Sequence, residues 1–417
     1  MTDLLGYTYI FINLYICLNF WKKEMGVFQF PFLIACVSLT FVTPQLINLM
    51  DFGYFVDGRD EIPLLNLCLC NIFLTVAFNI SSRKEPLDYS LIKFKDERAY
   101  KRVIYIFFLI GGAAMLMNRG AYKGGFVSGT FVIINFFASF ATVALLLILI
   151  GFKSKILSGK FFIIIAIILI LLTIDKILAS GRRAATINLV LMILYFFLDR
   201  NEKIYKSLKF CVPGFFLTGM IVGSQIGQYR ENAYEGKKSL MENLNSLEFS
   251  ISRANITLQK GEIYNAFVGM EALQVYGSYD FGAYNWNGIV KNYIPTVLVS
   301  RDFKDSLMFS NESNELVSYL TRSGSTMTGY FDSFLSFGLL GFIKFYVIGY
   351  IMGYFWRRRE QSNISLMLYF TLLTPGLHLL THSSNYFFSE LFFILIIVYP
   401  VLRAISSKEL ITNTHQS

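Results

Sequence analysis

The chain has 417 residues, of which 54% are hydrophobic and only 16% are charged, and it contains 42 Phe and 25 Tyr. Soluble globular domains carry about 25% charged residues, so this composition excludes a soluble enzyme as well as disordered and fibrous proteins. The formal net charge of +9 does not indicate nucleic-acid binding, because the basic residues would then have to share one accessible face.

Apolar stretches of the length that crosses a bilayer as a helix, about 20 residues, recur along the whole chain. The predicted spans are residues 3–20, 26–49, 62–80, 103–118, 127–151, 161–179, 184–198, 210–227, 329–354, 364–380 and 386–402. The predicted fold class is therefore an all-α polytopic integral membrane protein with about eleven transmembrane helices. The first span is predicted to be a membrane helix, since no basic segment or small-residue cleavage site of a signal peptide precedes it.

Lys and Arg in short loops predict the orientation, because cytoplasmic loops carry an excess of these residues. The segment 81–102 is rich in them and is assigned to the cytoplasm. By alternation the other basic loops also face the cytoplasm, namely residues 22–23, 153–160, 200–209, 357–359 and 403–408. The odd number of spans then places the N-terminus outside and the C-terminus inside.

One segment, residues 228–328, is too long and too polar to be a simple connector. It divides the chain into transmembrane helices 1–8 (residues 1–227), this external loop, transmembrane helices 9–11 (residues 329–402) and a cytoplasmic tail (residues 403–417). Loops of this length are usually functional, so residues 228–328 are predicted to be a catalytic and substrate-binding loop.

Two parts of the external loop have a pattern of their own. Residues 261–277 show the apolar period of an amphipathic helix, and residues 281–300, with Gly and Pro among apolar residues, indicate a lipid-facing or re-entrant segment. Aromatic faces stack on sugar rings, and Tyr284, Trp286 and Tyr293 are the candidates for such stacking.

Arg182 and Arg183 are predicted to lie below the external membrane surface. The span that follows them, residues 184–198, rises only about 22 Å against a hydrocarbon core of about 30 Å. Ionisable groups at such depth normally face a water-filled or ligand-filled cavity. Gly181 and the positive end of the following helix favour an anion here, and two guanidinium groups can bind a phosphate bidentately. The alternative is that Asp175 neutralises one of the two arginines while the other reaches the interface.

Three other polar or small-residue features receive structural interpretations. Lys344, midway along the ninth span, is interpreted as a lysine extending towards a neighbouring cavity. Gly349 and Gly353 form a small-xxx-small pair that indicates helix packing. His378 and His382 share one helical face near the external end of the tenth span, but no His-Glu-x-x-His motif accompanies them, so a metal site is not predicted.

No motif for a cofactor is present. The five Cys residues all fall in apolar runs, and the chain has no P-loop, no Gly-x-Ser-x-Gly and no cysteine-rich metal motif. Arginines for phosphate, aromatics for sugar rings and a lipid environment together fit one class of substrate, a polyprenyl-diphosphate-linked oligosaccharide.

Short motifs add a resemblance to a known family. They are Ser128-Gly129-Thr130 at the start of the fifth span, Ser180-Gly181-Arg182-Arg183 before the seventh, Arg230 after the eighth, Tyr293-Ile294-Pro295 in the external loop and Phe337-Gly338-Leu339-Leu340-Gly341 in the ninth. With these motifs in this order, the sequence resembles the Wzy-type oligosaccharide repeat-unit polymerases of bacterial O-antigen, common-antigen and capsule synthesis.

This resemblance implies a GT-C-like membrane glycosyltransferase in the bacterial cytoplasmic (inner) membrane, with its site facing the periplasm or exterior. Both donor and acceptor would be undecaprenyl-diphosphate-linked glycans, and the enzyme would need neither metal nor nucleotide. Membrane lipids, a chain-length regulator and a flippase are the further partners that it suggests, and no nucleic acid is among them.

The implied reaction needs groups that stabilise the leaving diphosphate and a general base for the acceptor hydroxyl. The candidates for the diphosphate are Arg182, Arg183 and Arg230, with Arg253 and Arg301 as secondary candidates. The candidates for the base are Glu231, Glu271, Asp280 and His382, among which the sequence does not choose.

Two alternatives stay open. A ligase that moves finished glycan to a lipid acceptor would share the fold and the diphosphate site. A lipid-linked oligosaccharide flippase or transporter would also place basic residues within the membrane, although such proteins commonly have two related halves, and the two halves of this chain differ.

Overall fold

A computed structural model describes residues 1–55, 58–83, 90–94, 96–118, 130–180, 183–199, 202–210, 214, 261–276, 279–294, 296, 299–309 and 327–410. This part of the chain is almost entirely helical, with one short pair of strands. The helices, in chain order, are α1 (Thr2–Trp21), α2 (Phe30–Val37), α3 (Thr43–Asp51), α4 (Glu61–Ser82), α5 (Glu97–Asn118), α6 (Thr130–Lys153), α7 (Lys160–Ser180), α8 (Arg183–Leu198), α9 (Glu202–Leu208), α10 (Glu262–Tyr276), α11 (Ala283–Tyr293), α12 (Arg301–Ser306), α13 (Gly329–Phe337), α14 (Phe342–Arg357), α15 (Asn363–His378), α16 (Asn385–Phe393) and α17 (Tyr399–Ala404).

Six helical segments in the described residues are long and apolar enough to cross a membrane. They are Thr2–Trp21, Phe30–Asp51, Glu61–Ser82, Glu97–Asn118, Gly329–Arg357 and Asn385–Ala404. This confirms the prediction of a helical membrane protein, whereas the number of eleven spans and the GT-C arrangement stay predictions. Four more predicted spans coincide with α6, α7, α8 and α15, and the eighth, residues 210–227, lies almost wholly outside the described residues.

Proline shapes two of the spans. The second span widens into a π-helical turn at Ser38–Val42, which ends two positions before Pro44. The last span does so at Ile394–Val398, two positions before Pro400. A proline has no N–H to donate, and its ring clashes with the carbonyl four residues earlier. The wider π turn accommodates the ring while both spans continue as helices.

The ninth span has the predicted extent but is broken in the middle. α13 ends at Phe337, a 3₁₀ turn follows at Gly338–Gly341, and α14 begins at Phe342. Gly338 has a φ of 59°, and a β-carbon at Gly341 would lie 2.2 Å from the Ser333 carbonyl oxygen. Glycine is therefore required at both positions, and the break leaves the carbonyl groups at the end of α13 without helical partners.

Contacts between loops agree with the predicted alternation. Strand β1 (Ser90–Phe94) pairs with strand β2 (Ser406–Leu410) in an antiparallel sheet, so the loop after α4 and the segment after α17 lie at the same end. Lys153 forms an ion pair with Asp199, which brings the α6–α7 and α8–α9 connections together. Which end faces the cytoplasm stays a prediction from the distribution of Lys and Arg.

Polar groups tie the spans together inside the bundle. The hydroxyl groups of Tyr9 and Tyr330 lie 2.9 Å apart, Tyr330 donates to Asn71 at 3.0 Å, and Asn71 donates to Asn13 at 2.8 Å. Small residues add close packing, since a β-carbon at Gly349 would lie 2.2 Å from the carbonyl oxygen of Leu74. The packing role predicted for this glycine is therefore confirmed.

Candidate functional site

Residues 280 and 281, in the predicted external loop, dock on the break in the ninth span. The backbone N–H groups of Asp280 and Phe281 donate to the carbonyl oxygens of Leu335 and Ser336, at 3.0 and 3.2 Å. These are two of the carbonyl groups that the break releases. The residues that lead into α11 therefore complete the backbone hydrogen bonding at the end of α13.

Asp280 fixes the start of α11. Its Oδ1 accepts hydrogen bonds from the Gly282 N–H at 2.9 Å and from the Ser336 hydroxyl at 2.7 Å, and its Oδ2 accepts one from the Tyr284 N–H at 2.9 Å. A carboxylate at this place stabilises the exposed N–H groups of the first helical turn. Asp280 is buried, so this candidate base has a clear structural role.

Four buried side chains form a network beside Asp280, which we call the Asp332 network: Asp332, Lys344, Ser384 and Asn285. Lys344 Nζ lies 3.5 Å from Asp332 Oδ1 and donates to the Asp332 backbone oxygen at 3.1 Å. The Ser384 hydroxyl donates to Asp332 Oδ1 at 2.8 Å, and the Ser384 N–H donates to the other carboxylate oxygen. On the α11 side, Asn285 accepts from Lys344 and donates to the Ser384 hydroxyl at 3.1 Å.

Sequence reasoning missed this network. Asp332 and Lys344 are twelve positions apart in the chain, which corresponds to about 18 Å along an unbroken helix. The helix is interrupted between them by the turn at Gly338–Gly341, and the Lys344 ammonium reaches the Asp332 carboxylate and backbone oxygen. Lys344 is therefore not a lysine extending towards a cavity, as the sequence suggested, but one member of a buried ion pair. The available signal was an Asp and a Lys flanking two glycines within one span.

The three candidates for sugar stacking differ in exposure. Trp286 is 44% exposed, and its indole N–H donates to the Leu307 carbonyl oxygen at 2.8 Å. Tyr284 donates to the Ser383 hydroxyl at 3.3 Å, and burial raises its pKa to about 12. The Tyr293 hydroxyl donates to the Ser389 carbonyl oxygen. The two tyrosines therefore hold α11 on the bundle, while Trp286 offers the most open ring.

Two other candidate bases can be located. Glu271 on α10 is buried, pairs with Arg59 and accepts a hydrogen bond from Tyr54 at 3.2 Å. Burial, and then the Glu271 charge, raise the pKa of Tyr54, so this tyrosine stays a donor. His382 Nδ1 lies 2.8 Å from the Thr381 hydroxyl, and its partly exposed ring packs against Tyr386 with the ring centres 5.7 Å apart.

The predicted diphosphate residues fall mostly outside this description. Arg182, Arg230 and Arg253, and with them the candidate base Glu231, lie outside the described residues. Arg183 is the first residue of α8, one position earlier than predicted. Arg301 begins α12, with its side chain 87% exposed and its Nε 3.7 Å from Asp305. Of the five candidates for the diphosphate, Arg183 and Arg301 belong to the described residues.

Among the described residues, no group of three His, Cys, Asp or Glu side chains is placed to hold a metal ion. Comparisons of the chain with models of protein families, with curated proteins and with solved structures find no match. The fold and the site thus define a class: a helical membrane protein in which non-spanning helices dock on a buried polar network at one end of the bundle.

Proposed function

We propose that the protein is a membrane glycosyltransferase that polymerises undecaprenyl-diphosphate-linked oligosaccharide repeat units at the external face of the bacterial inner membrane. The observation that supports this most is the docking of α11 on the broken ninth span. It gathers hydroxyl, amide, carboxylate and aromatic side chains at the end of the bundle where a lipid-linked glycan would leave the membrane. Such groups suit a hydroxyl-rich substrate.

The proposed reaction is a transfer between two lipid-linked glycans. The acceptor hydroxyl oxygen attacks the anomeric carbon of the donor sugar, and the bond from that carbon to the diphosphate oxygen breaks. Undecaprenyl diphosphate leaves with the electron pair, and the hydroxyl proton passes to a general base. Arg182, Arg183 and Arg230 stabilise the leaving charge, and Arg253 and Arg301 are secondary candidates for this role.

His382 is the first choice for the base among the candidates in the described part of the chain. The carboxylate of Glu271 is taken up by Arg59 and Tyr54, and the carboxylate of Asp280 accepts three hydrogen bonds that hold α11. His382 is partly exposed and directly precedes Ser383, which binds Tyr284 of α11. An imidazole also has a suitable proton affinity near neutral pH.

The test uses purified protein in lipid nanodiscs with a synthetic undecaprenyl-diphosphate repeat unit, resolved on a gel. A ladder of products separated by one repeat unit is expected from the native protein, with a large loss in His382→Ala. No ladder from native protein would overturn the proposal. Transfer of one glycan to a different lipid acceptor would indicate a ligase, and movement of the lipid across the bilayer without bond formation would indicate a flippase.

A further inference from the structure

The Asp332–Lys344 ion pair connects α13 with α14, two helices that the turn at Gly338–Gly341 already joins along the chain. Burying two charges is costly, and well-packed apolar residues would often be as stable. Ionisable side chains inside a membrane span are therefore functional candidates by default. The pair also contacts other parts of the bundle. Lys344 binds Asn285 of α11, and Asp332 binds Ser384 in the turn between α15 and α16.

The network contacts the first turn of α11, through Asn285, on the surface that faces the bundle. Asp280, at the start of this surface, is bonded to Ser336. One turn beyond Asn285, Gly288 packs against Asn385, and at the far end the Tyr293 hydroxyl donates to Ser389. The network thus contains the only ion pair in this row of described contacts.

The opposite side of α11 carries the exposed aromatic residue. Trp286 is bonded through its indole N–H to Leu307, and Asn287 pairs with Phe309 through two hydrogen bonds of 2.8 and 2.9 Å. These contacts attach residues 307–309 to α11 and leave the Trp286 ring 44% exposed. Contacts that fix the position and orientation of α11 on the bundle therefore also fix the orientation of the Trp286 side chain.

We propose that Asp332 and Lys344 are positioning residues, whose buried pair sets the place of α11, and thereby of Trp286, at the external end of the bundle. The two charges act as a unit: Asp332 holds the Lys344 ammonium in place, and the ammonium holds Asn285. The inference rests on the proposed function only for the role of Trp286 in contacting glycan, and the docking of α11 is independent of it.

The test measures amide hydrogen exchange of the full chain in lipid nanodiscs. In Lys344→Met and Asp332→Asn, the amides of α11 are expected to exchange roughly ten- to a hundredfold faster, the range for losing a hydrogen bond to a charged group. The amides of α4 and α15 should be unchanged. Matched controls are Lys291→Met on α11 and Asp302→Asn on α12, which remove exposed charges of the same kinds and should leave exchange in α11 as it is.

A further variant keeps the inference testable if Lys344→Met and Asp332→Asn do not insert into the membrane. Asn285→Ala leaves the ion pair intact and removes only the α11 side of the network, so faster exchange confined to α11 is again expected. Unchanged α11 exchange in Asn285→Ala, or in both inserted charge variants, would overturn the inference.

Polymerisation is measured in parallel: an increased KM for the lipid-linked acceptor with a smaller change in kcat is expected. If the variants show faster α11 exchange but the native protein makes no polymer ladder, the proposed function is wrong and the positioning role of the ion pair stands.

Discussion

Gly288 of α11 and Asn385 of α16 meet so closely that a β-carbon at position 288 would lie 1.9 Å from the Asn385 amide nitrogen. The contact shows that α11 lies directly on the bundle along this edge. A methyl group at position 288 would have to displace the Asn385 amide or move α11 away from α16.

Gly288→Ala is accordingly expected to make the docking of α11 less favourable by about 1–3 kcal/mol, the usual cost of overpacking. Exchange of the α11 amides should increase and polymer formation should fall. Gly112→Ala in α5 is the matched control, because a β-carbon there would meet no atom closer than 3.7 Å. Equal behaviour of the two variants would contradict close docking of α11.

The predicted topology can be checked by single-cysteine labelling. Positions near Asn255 and Tyr284 are expected to react with an impermeant reagent in intact cells, and positions near Tyr89 and Gln361 only after permeabilisation. The reason is the Lys/Arg distribution, together with the pairing of β1 with β2 at one end of the bundle. Labelling at position 89 in intact cells would refute the eleven-span topology.

The pair Arg182 and Arg183 gives a quantitative prediction. At least one of the variants Arg182→Ala and Arg183→Ala should lower the amount of polymer per inserted molecule roughly ten- to a hundredfold. The reason is that a charge-assisted hydrogen bond contributes about 1.5–3 kcal/mol. Arg→Lys should restore only part, because an ammonium cannot bind phosphate bidentately. If the pair only balances Asp175, Asp175→Asn should impair folding as much as either Arg→Ala, and activity per folded molecule should stay normal.

Independence of metal and nucleotide is a further prediction, because the free energy for transfer is stored in the diphosphate linkage of the donor. Polymer formation in nanodiscs should be unchanged by a strong chelator and by removal of all nucleotides. Activity that a chelator abolishes and one specific divalent ion restores would show that the prediction is wrong.

Trp286 should report glycan binding through its fluorescence. The chain has three Trp residues. Trp21 ends α1 and Trp356 lies in the last turn of α14, and the described ring contacts of both are with residues outside α11. A soluble repeat-unit oligosaccharide should therefore change the emission of the native protein but not of Trp286→Phe. An equal change in both proteins would exclude Trp286 as the stacking residue.

Much of the helical pattern is predictable from the sequence, because the length of an apolar stretch is enough to identify a membrane span. The first span was predicted at 3–20 and α1 covers Thr2–Trp21, while the amphipathic helix predicted at 261–277 is α10, Glu262–Tyr276. The segment 281–300 was interpreted as lipid-facing or re-entrant. Most of it forms α11, whose buried side contacts protein, because Asp280 and Asn285 find partners on the broken span.

The site was less predictable because it depends on contacts between distant parts of the chain. The partner of Asp280 is Ser336, and the partner of Asn285 is Ser384; neither spacing follows a helical or strand period. The two strands escaped prediction for the same reason. Each has only five residues, and each becomes a strand only through the other, with Ser90 opposite Leu410.

That strand pair has a consequence for the order of assembly. During synthesis, β1 leaves the ribosome long before β2, so its backbone edge stays open until residues 406–410 have been made. Closure of the sheet therefore requires translation through Leu410. A chain released before Ser406 would keep an unpaired strand edge, which can pair with other chains.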